Sequence, residues 1–293
     1  MFGTNEIVGK KFFKDAAEDS LFVTSMFFTL QGEGPYAGMP ALFIRLTKCN
    51  LDCSFCDTFF DDGDWMTFEE IEAKAYHTIC DYWNSKGQSA PLWAVPNGVG
   101  TVSYPNIVLV ITGGEPMLQS NLTAFLQKQL PMYKHIQIES NGTVDQPIPG
   151  DVTLVCSPKC AEKEGKAIKY LAPTKLILER ADCLKFVMSA EEDNPYSSIP
   201  QWAHEWKERT GKEIYVSPMN VYNTLPQKIK LLRAEDGKIT MAERSTVDEV
   251  ISFFEPGLLD YDAIRKNYEY TARYCMSYGC RLNLQQHLFC NIA

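Results

Sequence analysis

The sequence predicts an α/β protein built on a mainly parallel sheet, and three observations predict it. Apolar strand-like runs alternate with helical patterns, as right-handed strand–helix–strand crossovers require. The run Ile107–Ile111 is continuously apolar and rich in β-branched residues, the pattern of a strand buried on both faces. Polar loops follow the strand-like runs, and in parallel α/β folds the carboxyl ends of the strands share one ligand-binding face.

Taken in order, Ala41–Leu46 reads as a strand that runs straight into a cysteine-rich loop. Thr67–Trp83 reads as a helix: Thr67 and Glu70 have capping-box spacing, and Phe68, Ile71, Ala75, Ile79 and Tyr82 recur at helical spacing. Ile107–Ile111 is the next strand and Leu118–Leu130 the next helix. Strands are expected at His135–Glu139, Val152–Cys156, Cys183–Val187 and Glu213–Ser217. Helices are expected at Gln201–Arg209, Val247–Phe254 and Tyr261–Tyr278, the last closed by Gly279, before a final strand Arg281–Leu284. The Gly-, Ser- and Pro-rich stretch Asn84–Tyr104 marks an insertion near 84–105, and the whole chain reads as one domain, 1–293.

Composition narrows the function classes. Apolar content of 45% suffices for a sizeable core, and no apolar stretch is long enough to cross a bilayer. A net charge of −9 argues against broad electrostatic binding of nucleic acid and favours a small substrate. Ten cysteines without a secretory signal imply a reducing, cytoplasmic setting with free or metal-bound thiols.

Three of these cysteines lie within eight residues, Cys49-Asn-Leu-Asp-Cys53-Ser-Phe-Cys56. A structural zinc ion closes its tetrahedron with four ligands. A four-iron cluster held by three thiolates keeps one iron open for a small molecule. Spacing alone leaves both readings standing, the zinc site being completed by a distant residue such as Cys80.

Other motifs are more selective. Thr29-Leu30-Gln31-Gly32-Glu33-Gly34 precedes the cysteines, Cys56-Asp57-Thr58 closes their loop, and Thr112-Gly113-Gly114-Glu115-Pro116 follows. Glu139-Ser140-Asn141-Gly142-Thr143, Ser157-Pro158-Lys159, Leu184-Lys185-Phe186-Val187 and Leu284-Gln285-Gln286-His287 come after, in order. From about Phe28 to the C-terminus the chain resembles the 7-carboxy-7-deazaguanine synthase family of radical S-adenosylmethionine (SAM) enzymes. The resemblance implies an incomplete TIM-like (β/α) barrel of about six mainly parallel strands. It implies conversion of 6-carboxy-5,6,7,8-tetrahydropterin to 7-carboxy-7-deazaguanine with loss of ammonia, in queuosine and 7-deazapurine biosynthesis. It implies a [4Fe-4S] cluster, SAM and Mg2+, a flavodoxin- or ferredoxin-type electron donor, and a homodimer.

Roles follow residue by residue as the resemblance implies them. Cys49, Cys53 and Cys56 ligate the cluster, and Thr58 contacts Mg2+, with Asp57 a second metal candidate or a turn cap. Mg2+ prefers octahedral oxygen coordination, so one hydroxyl needs substrate oxygens and water beside it. SAM is expected against Phe55, Cys56, Asp57, Gly114, Glu115, Ser140, Ser157, Pro158 and Lys159. Gly113 and Gly114 would let the backbone approach the ligand closely. Phe55 reads equally as core, and Lys159 as a solvated rim charge. The pterin is expected against Leu30, Gln31, Gly32 and Glu33, whose donors and acceptors suit its amide-like edge, with Thr112, His287 and the Ala293 carboxylate. Arg45 suits the substrate carboxylate if it points inward; an outward, solvated Arg45 is the other reading. No protein general base is apparent. Two rivals share some of these features: a radical SAM activase acting on a partner's glycine, and a zinc-binding interaction module.

Overall fold

The computed structural model describes residues 5–56, 58, 60–84, 101–221, 260–286 and 290, with the backbone of 95–97, 229–233 and 239–243. The first half contains β1 (Ser20–Leu30), β2 (Pro40–Leu46), β3 (Asp64–Thr67), α1 (Phe68–Asn84), β4 (Val95–Asn97), β5 (Thr101–Gly113), α2 (Leu122–Gln129) and β6 (Tyr133–Ser140). The second contains β7 (Thr153–Cys156), β8 (Cys160–Lys163), β9 (Lys166–Tyr170), α3 (Lys175–Arg180), β10 (Cys183–Met188), α4 (Gln201–Thr210) and β11 (Glu213–Pro218). A β12–β13 hairpin (Ile229–Arg233, Ile239–Glu243), α5 (Tyr261–Tyr278) and β14 (Arg281–Leu282) complete it.

The strands join in the order β14-β11-β10-β7-β6-β5-β2-β1-β3, and every pairing from β2 through β14 is parallel. The parallel part thus has seven strands, against the about six that the family resemblance implies, and its last, β14, is only two residues long. The described end strands β14 and β3 do not pair, so the sheet stays open. β1 adds an antiparallel start, with Ser25 opposite Arg45 and Phe27 opposite Phe43.

Strand alternation divides the sheet into two working faces. Ile107, Leu109 and Ile111 of β5 and Leu42, Ile44 and Leu46 of β2 join the main core beneath the helices. There they meet Ile71, Ala75 and Ile79 of α1 and Leu122, Phe125 and Leu126 of α2. Burying each of these Leu, Ile and Phe side chains stabilises the fold by about 1.5–3 kcal/mol relative to exposure. Val108 and Val110 with Ala41 form a second, smaller cluster on the opposite, inner face. Residues 43, 45 and 112 continue that inner face toward the carboxyl edge, because side chains two apart on a strand share a face.

The helices differ from expectation mainly at their ends. The capping box is made: Thr67 Oγ1 accepts from Glu70 N at 3.2 Å while Glu70 accepts from Thr67 N at 2.7 Å. Gly279 closes α5 in the left-handed conformation, φ 65°. The helix expected at Leu118–Leu130 is shorter: Pro116–Leu118 forms a separate 3-10 turn and α2 begins at Leu122. The last strand stops at Leu282 rather than Leu284. Of the stretch near 84–105, Val95–Asn97 pairs antiparallel with 101–103, extending β5 into a hairpin. The helix expected at Val247–Phe254 lies outside the described residues.

Candidate active site

The inner face opens at the carboxyl edge into a cavity of about 300 Å3. Phe43 and Arg45 of β2 line it, and the parallel register sets Arg45 beside Thr112 of β5, which lines it too. Arg45 therefore points inward. Its guanidinium carbon stands 5.0 Å over the Phe27 ring, which stacks on Phe43 with centroids 5.1 Å apart. Such cation–π packing helps to orient a guanidinium.

The loop after β2 carries the cysteines, and Cys49, Cys53 and Cys56 all line the cavity. Inside the loop, Cys56 N donates to Cys53 O at 3.0 Å and Leu51 N to Cys49 Sγ at 3.5 Å. The chain's beginning braces its two ends. Ile7 bridges to Cys49, Val8 N donates to Cys49 O at 2.8 Å, and Asn5 bonds both Thr58 O and Phe60 N. Glu162, on the β8–β9 hairpin, accepts from Ser54 N at 2.8 Å. Burial pushes the Cys49 thiol up to about 12, with the Glu115 carboxylate adding to it, and burial pushes Cys53 up to about 11. A bound cation reverses this, since a coordinating thiol is deprotonated outright.

The donor set fits an iron–sulfur cluster. Among the described residues these are the three cysteines that line the cavity, matching a cluster with one open iron. Each thiolate would hold a different iron, so the sulfurs need no common focus. Among the described residues no three His, Cys, Asp or Glu side chains converge as a single zinc ion requires. Thr58 lines the same cavity; Asp57 lies outside the described residues.

Four further strand-end loops complete the rim. Gly113 and Gly114 line the cavity, and their backbone packs on the entry to the cysteine loop: Gly114 N donates to Leu46 O and Glu115 N to Lys48 O. Glu115 is fully buried and lies behind the wall. Its carboxylate accepts from Met117 N at 3.0 Å, Ser140 Oγ at 2.9 Å and Asn141 N at 2.7 Å. Burial pushes its pKa up against the pull of these bonds. Ser140, Ser157 and Lys159 line the cavity, as do Ser217 and Pro218 from the end of β11. Lys159 Nζ donates to the Ser157 carbonyl and hydroxyl, both at 2.7 Å, and burial lowers its pKa. Phe55 lines the cavity and meets buried Tyr196 edge-on at 5.1 Å. Pro158 is buried, and neither it nor half-buried Leu30 is among the lining residues.

Across the cavity, Gln31, Gly32 and Glu33 form the turn after β1. Gln31 is buried and its side-chain oxygen accepts from Glu33 N at 3.1 Å, which fixes the turn. Glu33 reaches Lys185 Nζ of β10 at 2.7 Å, and Lys185 also pairs with Glu139 of β6 at 2.8 Å. Burial pulls Lys185 down, but the two carboxylates more than reverse this, so its pKa rises; burial raises Glu139. Asn283 ties in from beyond β14, donating to Ser217 Oγ at 2.7 Å and accepting from Gly34 N at 2.8 Å. Sequence reasoning assigned no role to Lys185, Glu139 or Asn283. A charged residue inside the apolar run Cys183–Met188 was the available signal for Lys185. His287 and Ala293 lie outside the described residues.

Comparison with known proteins fixes the family. The 7-carboxy-7-deazaguanine synthase of Rickettsia prowazekii is 32% identical over 241 residues, covering 82% of this chain and 87% of that protein. This chain belongs to the 7-carboxy-7-deazaguanine synthase family. The Rhodospirillum rubrum synthase is 28% identical over 262 residues, covering 84% of this chain and 93% of the relative. QueE from Escherichia coli, in its crystal structure, shares the fold: TM-score 0.50 at 21% identity, covering 95% of this chain and 98% of that one. No family model matches the chain. Membership accounts for an α/β fold with a mainly parallel sheet and for three thiols on one cavity wall.

Proposed function

We propose that the chain converts 6-carboxy-5,6,7,8-tetrahydropterin to 7-carboxy-7-deazaguanine and ammonia, the reaction of its family. One observation carries the reading: the three thiols share a cavity with Gln31, Glu33, Arg45 and Thr112 in a chain of this family. The cluster, when bound, supplies one-electron cleavage of SAM and with it hydrogen-atom abstraction. The protein holds, orients and excludes water. Cys49, Cys53 and Cys56 hold the cluster. Phe55, Gly114, Ser140, Ser157 and Lys159 receive SAM, with Glu115 and Pro158 supporting from behind. Lys159 presents a cation to the SAM carboxylate by giving up the Ser157 bonds it makes now.

Arg45 takes the substrate carboxylate, since a guanidinium matches it bidentately. Gln31, Gly32 and Glu33 read the pterin edge. Lys185 pairs with both Glu33 and Glu139 and favours their carboxylate forms, whose oxygens accept from ring N–H donors. Thr58 meets Mg2+ with substrate oxygens and water. The chain is a single cytoplasmic radical SAM domain with an insertion near 84–105. It works as a homodimer and takes electrons from a flavodoxin- or ferredoxin-type donor.

The test is ammonia release from 6-carboxytetrahydropterin, measured anaerobically with reconstituted chain, Mg2+ and a reductant. Release that needs SAM and disappears in Cys53→Ala supports the reading. Release without SAM, or equal release by Cys53→Ala, contradicts it.

A further inference from the structure

Hydrogen bonds close a small ring where the cysteine loop meets the loop after β6. Asn50 Nδ2 donates to Thr143 Oγ1 at 2.8 Å, Thr143 Oγ1 donates to Asn141 Oδ1 at 2.6 Å, and Asn141 Nδ2 donates to Asn50 Oδ1 at 2.9 Å. Each member gives one bond and receives one, and bonds linked this way polarise one another. Asn50 is the residue after Cys49, inside the cysteine loop. Asn141 is 8% exposed, lines the cavity, and is anchored in turn by its N–H on the buried Glu115 carboxylate. A second bond, Thr143 N to Asn141 Oδ1 at 2.9 Å, fixes the Asn141 side chain from its own loop. The ring therefore joins three loops: the cysteines, Gly113–Gly114–Glu115, and Ser140–Asn141.

We propose that Asn141 and Thr143 are positioning residues that grip the cysteine loop through Asn50 and so fix Cys49 and Cys53 relative to the SAM-facing loops. The inference rests on the cluster reading above. The N-terminal braces hold the loop at Cys49 and Thr58, and Glu162 holds it at Ser54; the ring grips it at Asn50 and ties it to the cavity-lining loop after β6. Groups that orient metal ligands from behind commonly contribute about 10–100-fold in metal affinity.

The experiment compares the reconstituted chain with Thr143→Val, Thr143→Ser, Asn50→Ala and the Asn50→Ala/Thr143→Val double variant. Two quantities are read anaerobically: the rate of iron transfer to a ferrous chelator, and the SAM concentration that half-saturates the change in the reduced cluster's electron paramagnetic resonance spectrum. Thr143→Val keeps the shape and removes the hydroxyl; iron loss about tenfold faster and weaker SAM response are expected. Thr143→Ser keeps the hydroxyl and behaves as the parent. The double variant loses iron no faster than the worse single one, because both break one ring. Parent-like behaviour of Thr143→Val overturns the proposal. So does a Thr143→Ser variant as impaired as Thr143→Val, which would make the methyl group the cause, and so do multiplicative effects in the double variant. A parent chain that takes up no iron would overturn the cluster reading and this proposal with it.

Discussion

A Cβ built on Gly114 would sit 1.9 Å from the Lys48 carbonyl oxygen, and one on Gly113 would sit 2.1 Å from that of Leu46, at a φ of 132°. Both obstacles are backbone, which cannot swing aside. The two glycines are needed where the strand-end loop packs on the entry to the cysteine loop, not only where a ligand approaches. Gly114→Ala is expected to cost about 2–3 kcal/mol in chemical denaturation and to lower cluster content. A cost under about 0.5 kcal/mol, the range of neutral surface changes, would contradict this packing. Lys185 is the other decisive single residue. It is 8% exposed and balances two carboxylates, so Lys185→Met leaves Glu33 and Glu139 with no cation between them. The expected loss is about 3–5 kcal/mol at neutral pH, read from urea unfolding. Its folded pKa lies above the ordinary 10.5, so the lysine's share of the stabilisation is fully present below pH 10.5 and fades as pH rises through the folded value, while in acid the pairing is lost as the carboxylates protonate, Glu139 early because burial raises it.

At the scale of elements, α1 shows how directly local chemistry sets a boundary. Thr67 and Glu70 satisfy each other's backbone N–H, so Thr67→Ala is expected to cost about 1 kcal/mol in thermal unfolding at pH 7. The backbone and side-chain bonds from Thr67 hold the Glu70 carboxyl below its ordinary 4.5. The part that depends on the Glu70 carboxylate is present above pH 4.5 and lost as pH falls through the folded value, so the gap between parent and variant should narrow in acid without closing, because the Thr67 Oγ1 bond to Glu70 N does not titrate. This helix and the buried strands were legible because their signals are local: period 3.6 with a cap, or a continuous apolar run. β1 was not, because Ser20–Leu30 mixes Ser and Thr with apolar residues and is half-buried along most of its length. Only its pairing with β2 and β3 reveals it. The β8–β9 hairpin was also missed. Its two-residue turn, Glu164–Gly165, has φ of 53° and 73°, a turn usually announced by Asn-Gly or Asp-Gly.

At the scale of the whole molecule, the parallel sheet gathers loops distant in sequence onto one edge. Loops 49–56, 112–114, 140–141, 157–159 and 217–218 contribute residues to a common cavity because β2, β5, β6, β7 and β11 run in one direction, while residues 31–33 reach it from the end of antiparallel β1, beside the amino end of β2. The loops after the parallel strands were legible in the sequence as polar stretches at the ends of strand-like runs. The Glu33–Lys185–Glu139 pairing and the Asn50–Thr143–Asn141 ring were not, since both depend on side-chain directions across separate elements. Among the described residues no helix is long and apolar enough to cross a membrane. On the proposed function, this one cavity joins SAM chemistry to a pterin. The decisive experiment is mass spectrometry of an anaerobic reaction containing the iron-loaded chain, SAM, Mg2+, a reductant and 6-carboxytetrahydropterin. The expected product is 7-carboxy-7-deazaguanine. Accumulation of 5′-deoxyadenosine with no deazaguanine would contradict it and point instead to a different substrate for the same cluster.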